Sequence, residues 1–252
     1  IKLQVLQTAS KISLPIVFNH SKYANRMPIG LMSIVEGFKY KALRDFYHDW
    51  YRTDLQAIAV IGDVDVTEIE KQIIEKFSKI PAVKNAKKRY LVDIPENTEM
   101  LFSFGTDPEE TSASIGFGIR HKNLLEPETV ADLKQSLLES MAVSMLSSRI
   151  SEKAQKPDAT FLRAGAAYGA LSRTSKIFNI NVYPKPNKQV EAFTDVLTEV
   201  NRAVKYGYTS SEINRTISMF KSSYENQIAK KDDAGHKSIE SNIQDNFLKN
   251  KT

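Results

Sequence analysis

Four histidines, His20, His48, His121 and His236, are the first candidates for chemistry in a chain that has no cysteine. A hydrolytic zinc centre needs its donors close together: two histidines on neighbouring helical turns, with a glutamate beside them to activate water. No two of these histidines are near each other in the sequence, and neither HExxH nor the inverted HxxEH occurs. His48 stands in FYHDWY, where a helix rich in aromatics makes it a packed or partly exposed structural side chain. His121, in GIRHKN, closes a strand pattern and is expected to face solvent. The absence of cysteine excludes disulfides, thiol nucleophiles and any Cys-ligated zinc or iron–sulfur site. Serine chemistry lacks its G-x-S-x-G elbow. The glycines of GFGIR and RAGAAYGAL lack the strand–loop–helix setting that cradles phosphate, so both read as strands with small residues. Asp63 and Asp65 in GDVDV resemble a cation-binding pair, but their place between a strand and a helix gives them turn and N-cap work. No catalytic residue and no metal ligand is therefore expected in this chain.

The surrounding elements are legible from periodicity. Leu43, Phe46, Tyr47, Trp50 and Tyr51 recur at spacings of three and four, which makes one aromatic helix face. LQAIAVIG follows, a short apolar run bounded by Asp54 and Gly62, and reads as a buried strand. Thr67 with Glu70 matches a capping box for a helix striped by Ile69, Ile73, Phe77 and Ile80 and stopped by Pro81. Beyond that point TEMLFSFG and SASIGFGIR alternate as two strands across the turn TDPEET. Glu126-Pro127 is expected to start a long helix carrying Leu133, Leu137, Met141 and Met145. Two strands follow, FLRAGAAYGAL and KIFNINVY. Then comes a helix with Val190, Phe193, Leu197, Val200 and Val204 on one face, ended by Gly207. Thr209 with Glu212 opens the next helix, striped by Ile213, Ile217, Phe220 and Tyr224, and a final helix over 233–248 carries Ile239, Ile243 and Phe247.

The segments LQAIAVIGDVDVTEIEKQIIEKFSKIP and IFNINVYPKPNKQVEAFTDVLTEVNRAVKYG share the plan strand, polar turn, amphipathic helix. The expectation is an α+β protein of two related domains, the first incomplete, each a mostly antiparallel sheet packed against helices. The domains are placed at 1–88 and 89–252. The length of 252 residues suits two domains, and 41% hydrophobic with 26% charged residues is ordinary for a folded soluble chain. No apolar run approaches the roughly 20 residues of a membrane span. The opening residues are not a signal peptide and do not include an initiator Met, so a piece of a longer protein is expected. A net charge of +5 invites a nucleic-acid reading. Lys and Arg alternate with Glu and Asp along the helices, however, and the one dense run, KNAKKRY at Lys84–Tyr90, lies between prolines. A basic linker is favoured there over an RNA-binding patch, and no nucleic-acid partner is expected.

From Pro28 to Pro81 a Pro/Gly turn, the helix FYHDWY, an apolar strand, Gly-Asp and a helix ending in proline follow one another in order. This stretch resembles the later part of the catalytic domain of the pitrilysin/insulinase family of zinc peptidases. The residues from Glu99 onward are similar to that family's following domain through TSASIGFGIRHK, the helix ending MLSSRI, and GYTSSEINRTISMFKSSYENQ. The resemblance implies a zinc endopeptidase of repeated α+β domains enclosing peptide substrates in a chamber, of which this chain forms one wall. The parent's zinc would be held by an HxxEH motif and a further Glu, all upstream of Ile1, so the chain is expected to be inactive alone and to hold no cofactor. The alternative is a non-catalytic scaffold or substrate-binding homologue acting with an active partner subunit. Expected partners are peptide substrates, the missing N-terminal portion of the same protein, and a second copy or paired subunit. The compartment is not encoded, although exported bacterial relatives favour the envelope or periplasm over the cytoplasm. The family's substrate-gripping Arg and Tyr, seven apart after the SSR helix, fall on Gln155 and Leu162. Arg163 and Tyr168 lie nearby and are the substitutes if the loop KAQKPDATF shifts the register.

Overall fold

A computed structural model describes residues 12–26, 30–108, 110–123, 129–233 and 235–249. Its helices, in chain order, are α1 (Met32–Gly37), α2 (Tyr40–Trp50), α3 (Val66–Phe77), α4 (Val130–Ala154), α5 (Gln189–Tyr206), α6 (Ser210–Ala229) and α7 (His236–Lys249). Its strands are β1 (Ile115–Lys122), β2 (Phe161–Ala170) and β3 (Ser175–Pro184). The protein is α+β, with an antiparallel sheet and helices, as its sequence pattern predicts. It divides into two compact units, one of Ile1–Met27 with Leu91–Asn226 and the other of Pro28–Tyr90 with Gln227–Thr252.

The first unit is organised around a three-stranded sheet of order β1-β3-β2, with β3 antiparallel to both neighbours. Strands β2 and β3 are joined by a tight connection in which the Leu171 and Ser172 amides donate to the Ser175 carbonyl. In register, Phe117 faces Ile180 on one side of β3, while Ala166 and Ala164 face Ile180 and Val182 on the other. Side chains alternate across a strand, so Ile180 and Val182 share one face, and α4 and α5 cover it. The core is Leu146 and Ile150 from α4, Phe161, Ile180 and Val182 from the sheet, and Ala192 and Val196 from α5. Phe161, Ile150, Ile180, Val182 and Val196 are fully buried, each contributing about 1.5–3 kcal/mol of transfer free energy.

Helix α4 begins at a complete capping box: the Thr129 hydroxyl accepts from the Asp132 amide, and Asp132 accepts from the Thr129 amide. The predicted start at Glu126-Pro127 lies outside the described residues. Helix α5 ends at Gly207, whose φ of 66° is open to glycine without a Cβ penalty. Its buried face is Ala192 and Val196 with Phe193, Val200 and Ala203 beside them, while Val190 and Val204 are exposed. The predicted stripe placed Val190, Leu197 and Val204 at strict sevens, and a helix of 3.6 residues per turn drifts off such a line. On α6 the predicted stripe is also largely outside the core: Ile213, Ile217 and Tyr224 are exposed and Thr216 is the buried residue.

In the second unit α3 is capped by Asp65, which accepts from the Glu68 amide at 2.9 Å, and not by the predicted Thr67–Glu70 box. The basic run is pinned to α2: Lys87 pairs with Asp49 at 2.5 Å, and the buried Arg52 donates to the Lys87 carbonyl at 2.7 Å. LQAIAVIG and TEMLFSFG, both predicted as strands, join no ladder among the described residues. Ile58 and Val60 in the first, and Phe102 and Phe104 in the second, are exposed. A strand pattern becomes a strand only where a neighbour supplies backbone donors and acceptors. The aromatic face of α2 is likewise uncovered, with Leu43, Phe46, Tyr47 and Tyr51 all exposed.

Candidate functional site

Helices α4 and α5 cover one face of the sheet; among the described residues the other is bare except near the end of β1, where Arg120 meets residues 16–17 and 97. By alternation the bare face carries Gly116, Gly118, Arg120 and Lys122 from β1, Ile177, Asn179, Asn181 and Tyr183 from β3, and Arg163, Gly165, Ala167 and Gly169 from β2. Two glycines on this face make room for their neighbours. A Cβ on Gly116 would stand 2.9 Å from the Asn181 amide oxygen, and one on Gly118 would stand 2.9 Å from Ile177 Cδ1. The amide of Asn181 therefore lies over Gly116, and Ile177 leans over Gly118. Gly116, Gly118, Ala167, Gly169 and Asn181 are exposed.

The two sheet edges differ. On the β2 side the Ser147 hydroxyl of α4 donates to the Ala166 carbonyl at 3.0 Å and accepts from its amide at 3.2 Å, so a helix closes that edge at its middle. Along the outer side of β1, no backbone group is paired to another strand among the described residues. Arg120 is tethered where β1 nears its end. Its guanidinium donates to the Ile16 and Val17 carbonyls at 3.0 and 2.8 Å and to the Asn97 side chain; burial lowers its pKa. Beside it Ile94, Glu96, Asn97, His121, Lys122 and Ser175 line a shallow hollow of about 190 Å³, where Lys122 stands 3.4 Å from Glu96.

The predicted substrate residues Arg163 and Tyr168 sit on opposite faces of β2, because five positions separate them. Arg163 is exposed on the bare face with its guanidinium 3.8 Å from the centre of the Tyr183 ring, its cross-strand partner. Tyr168 is on the helix-covered face. It touches His121 edge-on at 6.0 Å, and Lys176 lies 5.6 Å from its ring centre. Burial, then the nearby Glu139 carboxylate, pushes its phenol up. The structure thus does not bring Arg163 and Tyr168 together. Gln155 and Leu162 make no paired site: Gln155 is the C-cap of α4, and Leu162 is exposed. Periodicity counted along KIFNINVY is the signal that puts Tyr183 and Asn181 on one strand face; their place beside Arg163 comes from the cross-strand register.

The histidines stay dispersed. His20 occupies a left-handed turn at φ 55°, His48 is on α2 against Tyr47, His121 is near the end of β1, and His236 opens α7. Among the described residues no three His, Asp or Glu side chains converge as metal donors. A tetrahedral zinc site needs three or four converging donors, so the described residues do not fit a zinc ion.

A buried polar joint holds the unit's helices in place. Arg149 of α4 binds Glu212 of α6 through both oxygens, at 2.5 and 2.8 Å, and donates to the Gly207 carbonyl at 3.0 Å. The Arg149 guanidinium, outweighing burial, holds the Glu212 carboxyl at about 2. Glu212 also accepts from the Thr209 amide and hydroxyl, completing the predicted capping box. Arg149 stacks 4.7 Å from the Tyr208 ring centre, and the Tyr208 hydroxyl donates to the Ala142 carbonyl. The Nη1 of Arg149 is buried without a hydrogen bond, so the π-face of Tyr208 is its compensation. A second joint ties Lys153 of α4 to Asp195 of α5 at 3.0 Å. Burial raises the Asp195 carboxyl, but Thr160 and Lys153 outweigh it and its pKa lies below the ordinary value.

A family model described as the Peptidase M16 inactive domain matches residues 37–220. The chain is 29% identical over 133 residues to the probable zinc protease PqqL of Haemophilus influenzae, an alignment covering 52% of this chain and 14% of that protein. It is 26% identical over 207 residues to the probable zinc protease PqqL of Escherichia coli, covering 79% of this chain and 21% of that protein. It therefore spans about a fifth or less of the curated relatives it matches. The crystal structure of the periplasmic protease PqqL from Escherichia coli superposes with a TM-score of 0.82 at 22% identity, covering 96% of this chain and 27% of that one. That of the first half of the same protease superposes with a TM-score of 0.80, covering 97% and 52%. These two likenesses show the shared fold.

Proposed function

From the premise that this chain belongs to the peptidase M16 family, the pitrilysin-like zinc peptidases, as a non-catalytic part containing the inactive domain, we propose that it forms one wall of a peptide-binding chamber. Residues 1–88 are assigned to the later part of the metal-bearing domain and 89–252 to the domain that follows it. The parent protein is a zinc-dependent endopeptidase, with its metal held outside this chain. Its substrates are peptides, and its compartment is the bacterial periplasm, as for the superposing periplasmic protease of Escherichia coli. Among the described residues no helix is long and apolar enough to cross a membrane.

The observation that carries this reading is the sheet itself: one face mostly bare and lined by small residues, bordered by a β1 edge whose outer backbone groups pair with no other strand among the described residues. Such an edge accepts an extended peptide by strand addition, which takes its affinity from main-chain hydrogen bonds and tolerates many sequences. The remaining chain of the same protein is the natural cover for the apolar α2 face, where Leu43, Phe46 and Tyr47 are exposed. A non-catalytic subunit working beside an active partner would use the same sheet. The two forms are separated by whether HxxEH precedes this segment in the parent.

The test is amide hydrogen exchange of the chain with and without an excess of an unstructured peptide. Slowed exchange confined to the amides of β1, Ile115–Lys122, is expected. Binding that leaves β1 unprotected, or no binding at all, overturns the proposal.

A further inference from the structure

None of the three strands contains an aspartate or a glutamate, although the whole chain has 30 acidic residues. The bare face nevertheless carries three cations, Arg120, Lys122 and Arg163. Arg120 is committed to carbonyls and Asn97, so it contributes field more than contact. Lys122 is exposed and holds Glu96 only at 3.4 Å, with both side chains more than three-quarters exposed. Such a pair contributes little and opens readily. Arg163 is also exposed, and the Tyr183 ring under its guanidinium already restricts it. A planar cation held in one orientation loses less side-chain freedom when it grips a carboxylate in bidentate fashion. Between the two lie the amides of Asn179 and Asn181, uncharged donors on a floor of glycine and alanine that admits a close backbone.

We propose that the bare sheet face selects acidic peptide segments, with Arg163 stacked on Tyr183 and Lys122 as its two carboxylate-reading positions. The inference rests on the peptide-wall reading above, carries it from the β1 edge onto the face, and adds the substrate class. The part of the peptide beyond the added strand crosses three strand spacings, about 14 Å, to reach Arg163 on β2. Charge complementarity is its ground: strands that bring three cations and no carboxylate to this face, with the exposed Glu96 beside Lys122, favour anionic partners and penalise basic ones. The asparagine amides hydrogen-bond peptide backbone regardless of sequence, so the preference resides in the two cations.

The experiment uses the full chain and three fluorescein-labelled dodecapeptides, alternating Glu-Gly, Ser-Gly and Lys-Gly, followed by anisotropy at low and at physiological salt. The Glu-Gly peptide is expected to bind about tenfold tighter than Ser-Gly, as one good charge-assisted contact provides, with the margin shrinking as salt is added. Arg163→Gln, removing one of the two cations that share the preference, should reduce Glu-Gly binding about threefold and leave Ser-Gly binding unchanged; Arg163→Lys should lose less because it keeps charge while losing the planar fork. Arg163→Gln with Lys122→Gln should erase the preference. Each substitution is at an exposed position, and an unchanged circular dichroism spectrum confirms the fold. Equal binding of Glu-Gly and Ser-Gly overturns this inference while leaving the peptide-wall reading standing. Failure of every peptide to bind overturns both. A dodecamer of thymidylate that binds more tightly than Glu-Gly and is weakened equally by Arg163→Gln shows a general polyanion surface, and also overturns the inference.

Discussion

Replacing Arg149 with Met removes the cation from the joint between α4 and α6 while keeping an unbranched side chain against Tyr208. Both partners are largely out of water, with 11% of the Arg149 and 16% of the Glu212 side chain exposed. The Arg149 guanidinium is the chief reason that Glu212 titrates at about 2 and not at its ordinary 4.5. A depression of that size corresponds to about 3 kcal/mol of folding free energy at neutral pH, and solvent at the rim of the pair reduces it to about 2 kcal/mol. Because the folded carboxyl is the more acidic one, this stability is complete above the unfolded value and is lost as pH falls from about 5 toward about 2. Urea unfolding at neutral pH should show Arg149→Met less stable by about 3 kcal/mol, since it also strands Glu212 half-paired in the joint. The gap should narrow steadily through the acidic window. Glu212→Gln and the double variant complete a cycle, with an expected coupling of about 2 kcal/mol. A gap that stays constant with pH, or a coupling below about 0.5 kcal/mol, would falsify the account of this joint.

Phe161→Ala, at a side chain with no exposed surface, should lower the stability of the sheet unit by about 3–5 kcal/mol in urea unfolding; a loss under about 1 kcal/mol contradicts its place in the core. The chain should bind an apolar dye strongly and self-associate through the uncovered α2 face, and Leu43→Ser with Phe46→Ser should diminish both. A monomer without dye binding at high concentration, measured by light scattering, refutes that. Dialysed chain should carry far less than one zinc per molecule by elemental analysis, because its histidines do not converge. One tightly held zinc refutes the assignment of the metal to another part of the parent.

Much of the element plan was legible because helices are specified locally. Thr209 and Glu212 cap the start of α6, Asp65 caps α3, and Gly207 ends α5, since a cap depends on residues three or four apart and on little else. The family resemblance was legible for the same reason: FYHDWY, MLSSRI and GYTSSE are short, local strings. Both ends of the Arg149–Glu212 joint stand inside those strings, yet their pairing joins positions 63 residues apart and leaves no local trace.

Strands are different, because every ladder hydrogen bond of a strand has its partner on another segment. LQAIAVIG and TEMLFSFG have the apolar pattern, and among the described residues neither finds a ladder, whereas KIFNINVY is central because two strands flank it. The sequence by itself determined most of the helices, the caps at Asp65 and Thr209 and the kinship. Only the tertiary structure decided which sheet face stays bare, that Arg163 and Tyr168 point to opposite sides of β2, and that Tyr183 lies under the arginine. Register across strands is a relation between distant segments, settled by packing on the core rather than by any neighbouring residue.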